Sequence, residues 1–238
     1  MKEKARSTPL DPLELTGRAR THVVQLEQPR CALHRDAVEP FLALREEAAR
    51  DGIDIAVFSA FRDFAAQTAI WDRKYAGERA LYDPDGNLLD HASLTEEQLI
   101  EAILSWSALP GASRHHWGSD LDVFDAAAVS PGYRVQLLPA EFASDGPFAR
   151  LDQWLTEHAK RFGFFRPYDR DRGGVQPEPW HLSYAPVSSL AQDLLSPELI
   201  AAAVESIDLL GRDAVLPRLP EIFQRYVVNV ASFEPGAG

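Results

Sequence analysis

The sequence predicts an α+β fold that ends in a helical C-terminal extension. Three observations carry the prediction. Helical and strand-like segments alternate irregularly along the chain, the strand candidates are few and short, and the strand–helix–strand repeat of a doubly wound parallel sheet is not sustained.

Taken in order, residues 1–20 read as irregular and extended, and 22–26 (HVVQL) as a short strand. Residues 36–50 read as an amphipathic helix with Asp36 as its cap. Val38, Phe41, Leu42 and Leu44 form its buried stripe, and Asp51-Gly52 ends it. The β-branched run 53–58 (IDIAVF) is a strand. A helix over 63–75 follows, with Ala66, Ile70 and Trp71 inward. Residues 83–87 (DPDGN) are a turn. Thr95-Glu96-Glu97-Gln98 is a capping box opening a helix to about 107, which Pro110-Gly111 closes. Residues 121–124 are a strand, 126–147 a loop, 148–162 a helix stopped by Gly163, and 180–184 a short strand entered after Pro179. Residues 187–228 have helical spacing, and the last four are a tail.

The 238 residues, 45% of them apolar, suffice for one large domain or one domain with sizeable extensions. A net charge of -12 repels phosphate backbones, so nucleic acid is not an expected partner. A single cysteine excludes a disulfide framework and a multi-cysteine zinc site, and Cys31 reads as a small buried hydrophobe. Met1 to Arg6 is polar with no apolar core, and no run of 18 apolar residues exists. No membrane span is expected. The compartment as the chain stands reads as cytoplasmic, or as periplasm or cell envelope if the N-terminus is trimmed.

His22, His34, His91 and His158 stand singly among ordinary residues and read as structural. Residues 113–125 (SRHHWGSDLDVFD) differ: two His and three Asp fall in one short stretch, the nitrogen and oxygen donors that zinc takes in tetrahedral array. A third ligand must come from elsewhere, and Glu178-Pro179-Trp180-His181 is the obvious source. His115 and Asp122 are seven apart and would face opposite ways on a straight strand, but Gly118 between them permits a bend. Leu121 and Val123 then face the core, and Asp120, Asp122 and Phe124 the other side. Glu178, in a bend before its strand, is placed to take a proton from water. The residues leave the choice between His115 and His116 open. They equally allow all these histidines to be loop and core residues paired with acids.

These clusters resemble the VanY-type D-alanyl-D-alanine carboxypeptidases, which share a zinc peptidase superfamily with the VanX dipeptidases and the Hedgehog fold. Ser113, His115, Gly118 and Asp122, then Glu178, Trp180 and His181, match the family pattern in identity and spacing. Ser59, Phe61, Arg62 and Gln67 match an upstream turn, so the similarity covers about 35–185. It implies a small antiparallel sheet flanked by helices, in a single metallopeptidase domain with the helices of about 187–230 appended. It also implies one Zn2+ on His115, Asp122 and His181, with His116 behind the ligands or lining the cleft. Glu178 would be the catalytic base, and Arg62 would neutralise the substrate carboxylate or the oxyanion. Ser113 and Gln67 would help hold a peptide ending in D-amino acids. Arg suits its role because its planar fork binds carboxylates bidentately. The chain departs from the pattern in three places. Leu182-Ser183-Tyr184 stands where the family carries an Arg after the last His. The stretch between Arg62 and Ser113, 77–110 above all, is long, and the tail beyond 187 has no counterpart. These parts are expected to form a lid or wall of the cleft. The implied activity is hydrolysis of peptidoglycan-derived peptides, with D,D-dipeptidase, L,D-carboxypeptidase or endopeptidase variants. The competing class is a non-catalytic, zinc-stabilised binding module.

Overall fold

The computed structural model describes residues 8–84 and 86–234, so the first seven residues and the expected four-residue tail lie outside it. Within the stretch read as irregular, Asp11 caps a one-turn helix, α1 (Pro12–Leu15). Its carboxylate accepts from Leu13 and Glu14 N–H, and Glu14 reaches back to the Asp11 N–H. The strand expected at 22–26 is β1 (Val23–Glu27). It pairs antiparallel with a strand the sequence does not announce, β2 (Arg30–His34), whose residues include none that are β-branched.

Helix α2 (Val38–Arg50) follows a 3-10 turn. Asp36 does not cap it: the Asp36 N–H is itself donated to His34 Nδ1 at 3.1 Å. Phe41, Leu44 and Ala48 are buried, whereas Leu42 is 38% exposed and leaves the predicted stripe. Strand β3 (Ile55–Ser59) leads to α3 (Phe64–Tyr75), capped by Asp63. This helix buries Phe64, Gln67 and Trp71; Ile70 is half-buried, and Ala66 is exposed, contrary to its predicted place inside. The predicted capping box opens α4 (Glu96–Leu104), with Thr95 and Gln98 bonded reciprocally. Strand β4 (Asp120–Asp125) comes next, then a loop holding one turn, α5 (Pro139–Phe142). Helix α6 (Ala149–His158) tightens into a 3-10 turn that Gly163 ends at φ 81°. The two-residue β5 (Phe164–Phe165) and β6 (His181–Tyr184) complete the strands. The extension is helical as expected, in four pieces: α7 (Ala185–Leu194), α8 (Pro197–Glu205), α9 (Arg212–Val215) and α10 (Leu219–Ile222).

The architecture is therefore α+β. A four-stranded antiparallel sheet, order β3-β4-β6-β5, is flanked by helices, with the β1–β2 hairpin beside it. Two apolar clusters hold the fold. One joins α2, α6 and the sheet through Phe41, Leu44, Leu121, Val123, Leu151 and Leu182. The other joins Trp71 of α3 and Ile100 and Ile103 of α4 to Ile200, Val204 and Ile222 of the extension. The long 77–110 stretch and the C-terminal helices thus pack on each other. Arg218 repeats the link by bridging Glu101 at 3.1 Å, and Trp71 Nε1 of α3 donates to the Leu210 carbonyl at 2.9 Å.

Candidate metal centre

A row of side chains crosses the sheet at one level. Asp122 on β4 pairs in register with His181 on β6 and with Ser59 on β3. The β3–β4 ladder shifts register between Val57 and Ser59, and this irregularity brings Ser59 opposite Asp122. The fourth member arrives from a loop. Residues Arg114–Trp117 form a 3-10 turn that ends at Gly118 in the left-handed conformation, φ 65°. The bend read from the sequence is this turn, and it swings His115 back over Asp122.

The ligand atoms offered by His115, Asp122 and His181 all lie within 4.8 Å of one another, and all three residues are buried. His115 Nδ1 donates to the Ala60 carbonyl at 2.9 Å, which leaves Nε2 as the acceptor nitrogen, 3.4 Å from Asp122 Oδ2. His181 Nε2 donates to Asp120 Oδ1 at 3.0 Å, so Nδ1 turns inward, 3.3 Å from Asp122 Oδ1 and 3.1 Å from Glu178 Oε2. Asp122 Oδ1 is buried and makes no hydrogen bond. Two imidazole lone pairs and an orphaned carboxylate oxygen converging in a buried pocket are a donor set for a divalent cation, and a borderline-soft ion such as zinc suits it.

The electrostatics agree. Burial alone would raise the Asp122 carboxyl, but the charge of the facing His115 and His181 imidazoles holds it well below the usual carboxylate range. Burial alone would lower His181, but its hydrogen bonds to Asp120 and Glu178 and the facing Asp122 carboxylate hold it well above the usual imidazole value.

His116 stands apart. Its Nδ1 donates to the Arg62 carbonyl at 2.7 Å, and its Nε2 accepts from the Gly111 N–H at 3.1 Å. Burial pushes its pKa down to about 4. Both nitrogens are committed to backbone, so this neutral ring braces the loop and does not line the cleft.

The cluster opens into a cavity of ≈ 580 Å³ lined by Arg62, Ser113, His115, Asp122, Glu178 and His181 among others. Gln67 is not among the lining residues. It is fully buried, accepts from Arg62 Nη1 at 2.8 Å and donates to the Ala108 carbonyl at 2.7 Å. Its geometry is that of a support holding Arg62, together with Ser59 Oγ 3.0 Å from Arg62 Nη2.

Two residues given no role above complete the centre. Asp120, with no solvent exposure, takes Arg114 Nε at 2.8 Å besides His181. Burial would raise its carboxyl, but Arg114 and His181 pull it down to about 2. Arg114 also donates to Gln192 Oε1 at 2.6 Å and Ser183 Oγ at 2.8 Å and lies over the Trp117 ring. The strand after His181 lacks the expected Arg, and Arg114 brings a guanidinium to that strand from the loop. The signal for Asp120 was its period-2 spacing with Asp122 on one strand face. Nothing in the sequence joins Arg114 to Ser183, 69 positions away.

Comparisons with known proteins bear on the family and the fold. The family model VanY, D-alanyl-D-alanine carboxypeptidase, matches residues 30–187. An uncharacterised protein of Haemophilus influenzae is 37% identical over 122 residues, 50% of this chain and 93% of that protein. Among solved structures, VanYB in complex with D-alanine-D-alanine superposes with a TM-score of 0.53 at 23% identity, covering 77% of this chain and 85% of that one. A mutant of a vancomycin-resistance D,D-pentapeptidase VanY in complex with Zn(II) gives a TM-score of 0.51 at 24% identity, covering 81% and 93%.

Proposed function

The chain belongs to the VanY family of D-alanyl-D-alanine carboxypeptidases, and from that premise we propose that it is a zinc-dependent carboxypeptidase of peptidoglycan-derived peptides ending in D-amino acids. The observation that carries the reading is the convergence of His115 Nε2, Asp122 and His181 Nδ1 with the Glu178 carboxylate beside them at the floor of the cavity. A structural neighbour holds Zn(II) and another holds D-alanine-D-alanine, which supports both the metal and the substrate class.

In this reading His115, Asp122 and His181 hold the zinc. Bound there, zinc supplies Lewis acidity to the scissile carbonyl and makes an attacking water more acidic. Glu178 takes the water's proton and returns it to the leaving amine. Arg62, fixed by Gln67 and Ser59 and making no close ion pair among the described residues, presents its remaining N–H groups to the substrate carboxylate or to the oxyanion. Ser113, at the cavity wall, offers a hydroxyl to the substrate backbone. Tyr168 stands edge-on to His181 with ring centroids 5.0 Å apart, and with Trp180 it limits water at the metal.

Glu178→Ala tests the assignment. D-alanine release from a pentapeptide ending in D-Ala-D-Ala should fall by about 100-fold or more, while elemental analysis still finds one zinc per chain. Full activity in the variant would remove Glu178 as the base. Zinc retained by the parent chain with no peptide hydrolysis at all would favour a binding module instead.

A further inference from the structure

On the sheet side the cavity is lined by apolar groups. Phe58 of β3, Leu137 and Leu138 in the loop after β4, and Trp180 all contribute to it. Phe58 directly precedes Ser59, the register partner of Asp122, and Trp180 directly precedes His181, so these groups adjoin the metal cluster. The loop is anchored at the same place. Phe142 of α5 packs on Trp180 with ring centroids 5.7 Å apart and on Phe148 at 5.1 Å, and Leu137 packs against the apolar cluster that contains Trp180.

Among the described residues, Leu137 alone combines a side chain with a positive φ, 55°. The left-handed conformation brings Cβ against the following carbonyl oxygen, so a leucine there is less stable than a glycine would be. Glu141 imposes it. Its buried carboxylate accepts from the Gln136 N–H at 3.2 Å, the Leu138 N–H at 3.0 Å and the Tyr133 hydroxyl at 2.8 Å. A buried carboxylate requires such partners, and two of these donors stand on either side of Leu137, so satisfying Glu141 turns the chain through that residue. Strain of this kind persists only where the surroundings over-determine it, and it gathers at ligand clamps. Here the over-determination comes from Glu141, and the strained residue presents its side chain at the cavity wall.

We propose that Leu137 is a specificity-determining residue: held by Glu141, its isobutyl group bounds the space for one of the two substrate side chains that flank the scissile bond, and limits that side chain to the size of a methyl group. Glu141 is the positioning residue behind it. The inference rests on the carboxypeptidase reading and deepens it by naming the group that sets the size of the substrate residue accepted.

The test uses the full chain carrying zinc and Glu178→Ala, so that ligands bind without turning over. Three peptides are titrated by calorimetry, alike except for their last two residues: D-Ala-D-Ala, D-Leu-D-Ala or D-Ala-D-Leu. One of the two leucine peptides should bind about tenfold or more weakly than the D-Ala-D-Ala peptide. Adding Leu137→Ala should bring that pair to within about threefold, and should leave the other leucine peptide where it stood relative to D-Ala-D-Ala. Adding Glu141→Gln instead, which keeps the size but removes one acceptor oxygen, should erode the same preference with zinc content unchanged. Leu137→Gly separates strain from packing, and serves as the second variant if Leu137→Ala does not fold. It should melt no lower than Leu137→Ala, because a left-handed backbone favours glycine over alanine. A lower melting temperature for the glycine variant overturns the strained clamp. Equal binding of all three peptides before Leu137 is changed overturns the proposal. So does a preference that both Leu137 variants leave intact, or an equal weakening of all three peptides, which a packing role alone would produce. Hydrolysis by the parent chain separates the two claims. Hydrolysis without a size preference removes the role of Leu137 and leaves the carboxypeptidase reading; a Leu137-dependent size preference in binding without hydrolysis does the reverse.

Discussion

At the scale of single residues, the choice between His115 and His116 shows where sequence reasoning stops. Two adjacent residues in a 3-10 turn project about a third of a turn apart. Which one meets Asp122 depends on where the turn is docked, and residue identity alone does not carry that. Hydrogen bonding decides it: His116 spends both nitrogens on the Arg62 carbonyl and the Gly111 N–H, and His115 spends only one. Asp120 makes the complementary point. It sits in the readable cluster, yet its role depends on a partner on another strand. By donating to Asp120 Oδ1, His181 Nε2 fixes the tautomer that turns Nδ1 toward Asp122. Replacing Asp120 by Asn removes the charge that favours this tautomer. Metal affinity should fall about 10–100-fold, measured by competition with a chromophoric chelator. The variant should also lose roughly 3 kcal/mol of stability, because Arg114 stays buried without its carboxylate. Unchanged chelator competition would mean that His181 is oriented by something other than Asp120.

At the scale of elements, most of the helices and the strands with β-branched or alternating residues were legible. The capping box at Thr95 appears as read, and Gly52 and Gly163 end their segments with φ 73° and 81°. The misses have local causes. Strand β2 is held by its register with β1 and by docking against the loop, where the His34 N–H donates to the Gly118 carbonyl at 2.8 Å, and neither is a property of its residues. Helix α3 buries Gln67 and exposes Ala66 because one of its faces supports Arg62 behind the cavity wall, so a polar residue lies inside. The 3-10 turn that carries His115 depends on Gly118. Its φ is 65°, and a Cβ added there would lie 2.6 Å from Val23 Cγ1 and 2.7 Å from the His34 backbone nitrogen. Gly118→Ala should therefore cost about 2–5 kcal/mol, combining left-handed strain with a clash against main chain that cannot give way. Urea denaturation reads this directly, and a loss below about 1 kcal/mol would mean that the hairpin yields. Because the same turn holds His115, the variant should also bind metal more weakly.

At the scale of the whole molecule, the cleft lies along α3 where two apolar clusters meet. One is organised by the sheet. The other is built jointly by the 77–110 stretch and the C-terminal helices. Periodicity could show that these distant stretches are helical but not that they share a core, because contacts between positions such as Glu101 and Arg218 leave no local trace. This wide burial also commits several histidines to the neutral state. Burial lowers His34 and His116 to about 4, and His34 is fixed further as the acceptor for the Asp36 N–H. Their unfolded value is near 6.5, so between pH 6.5 and 4 the unfolded chain binds protons that the folded chain refuses, and stability falls as pH falls. His181 contributes no slope in that window in the metal-free protein: its folded value is raised, so below its unfolded value both states are protonated. Asp120 and Asp122 are depressed and act below about pH 4, where the stability they provide is lost as pH drops further. Metal-free protein should therefore lose roughly 1.4 kcal/mol per pH unit for each of the two histidines. Urea midpoints at pH 6.5, 5.5 and 4.5 would record the slope. His34→Gln, whose amide oxygen can still accept from Asp36, should flatten that slope by about one proton's worth. An unaltered slope would mean that His34 is protonated in the folded state and that the acid sensitivity originates elsewhere.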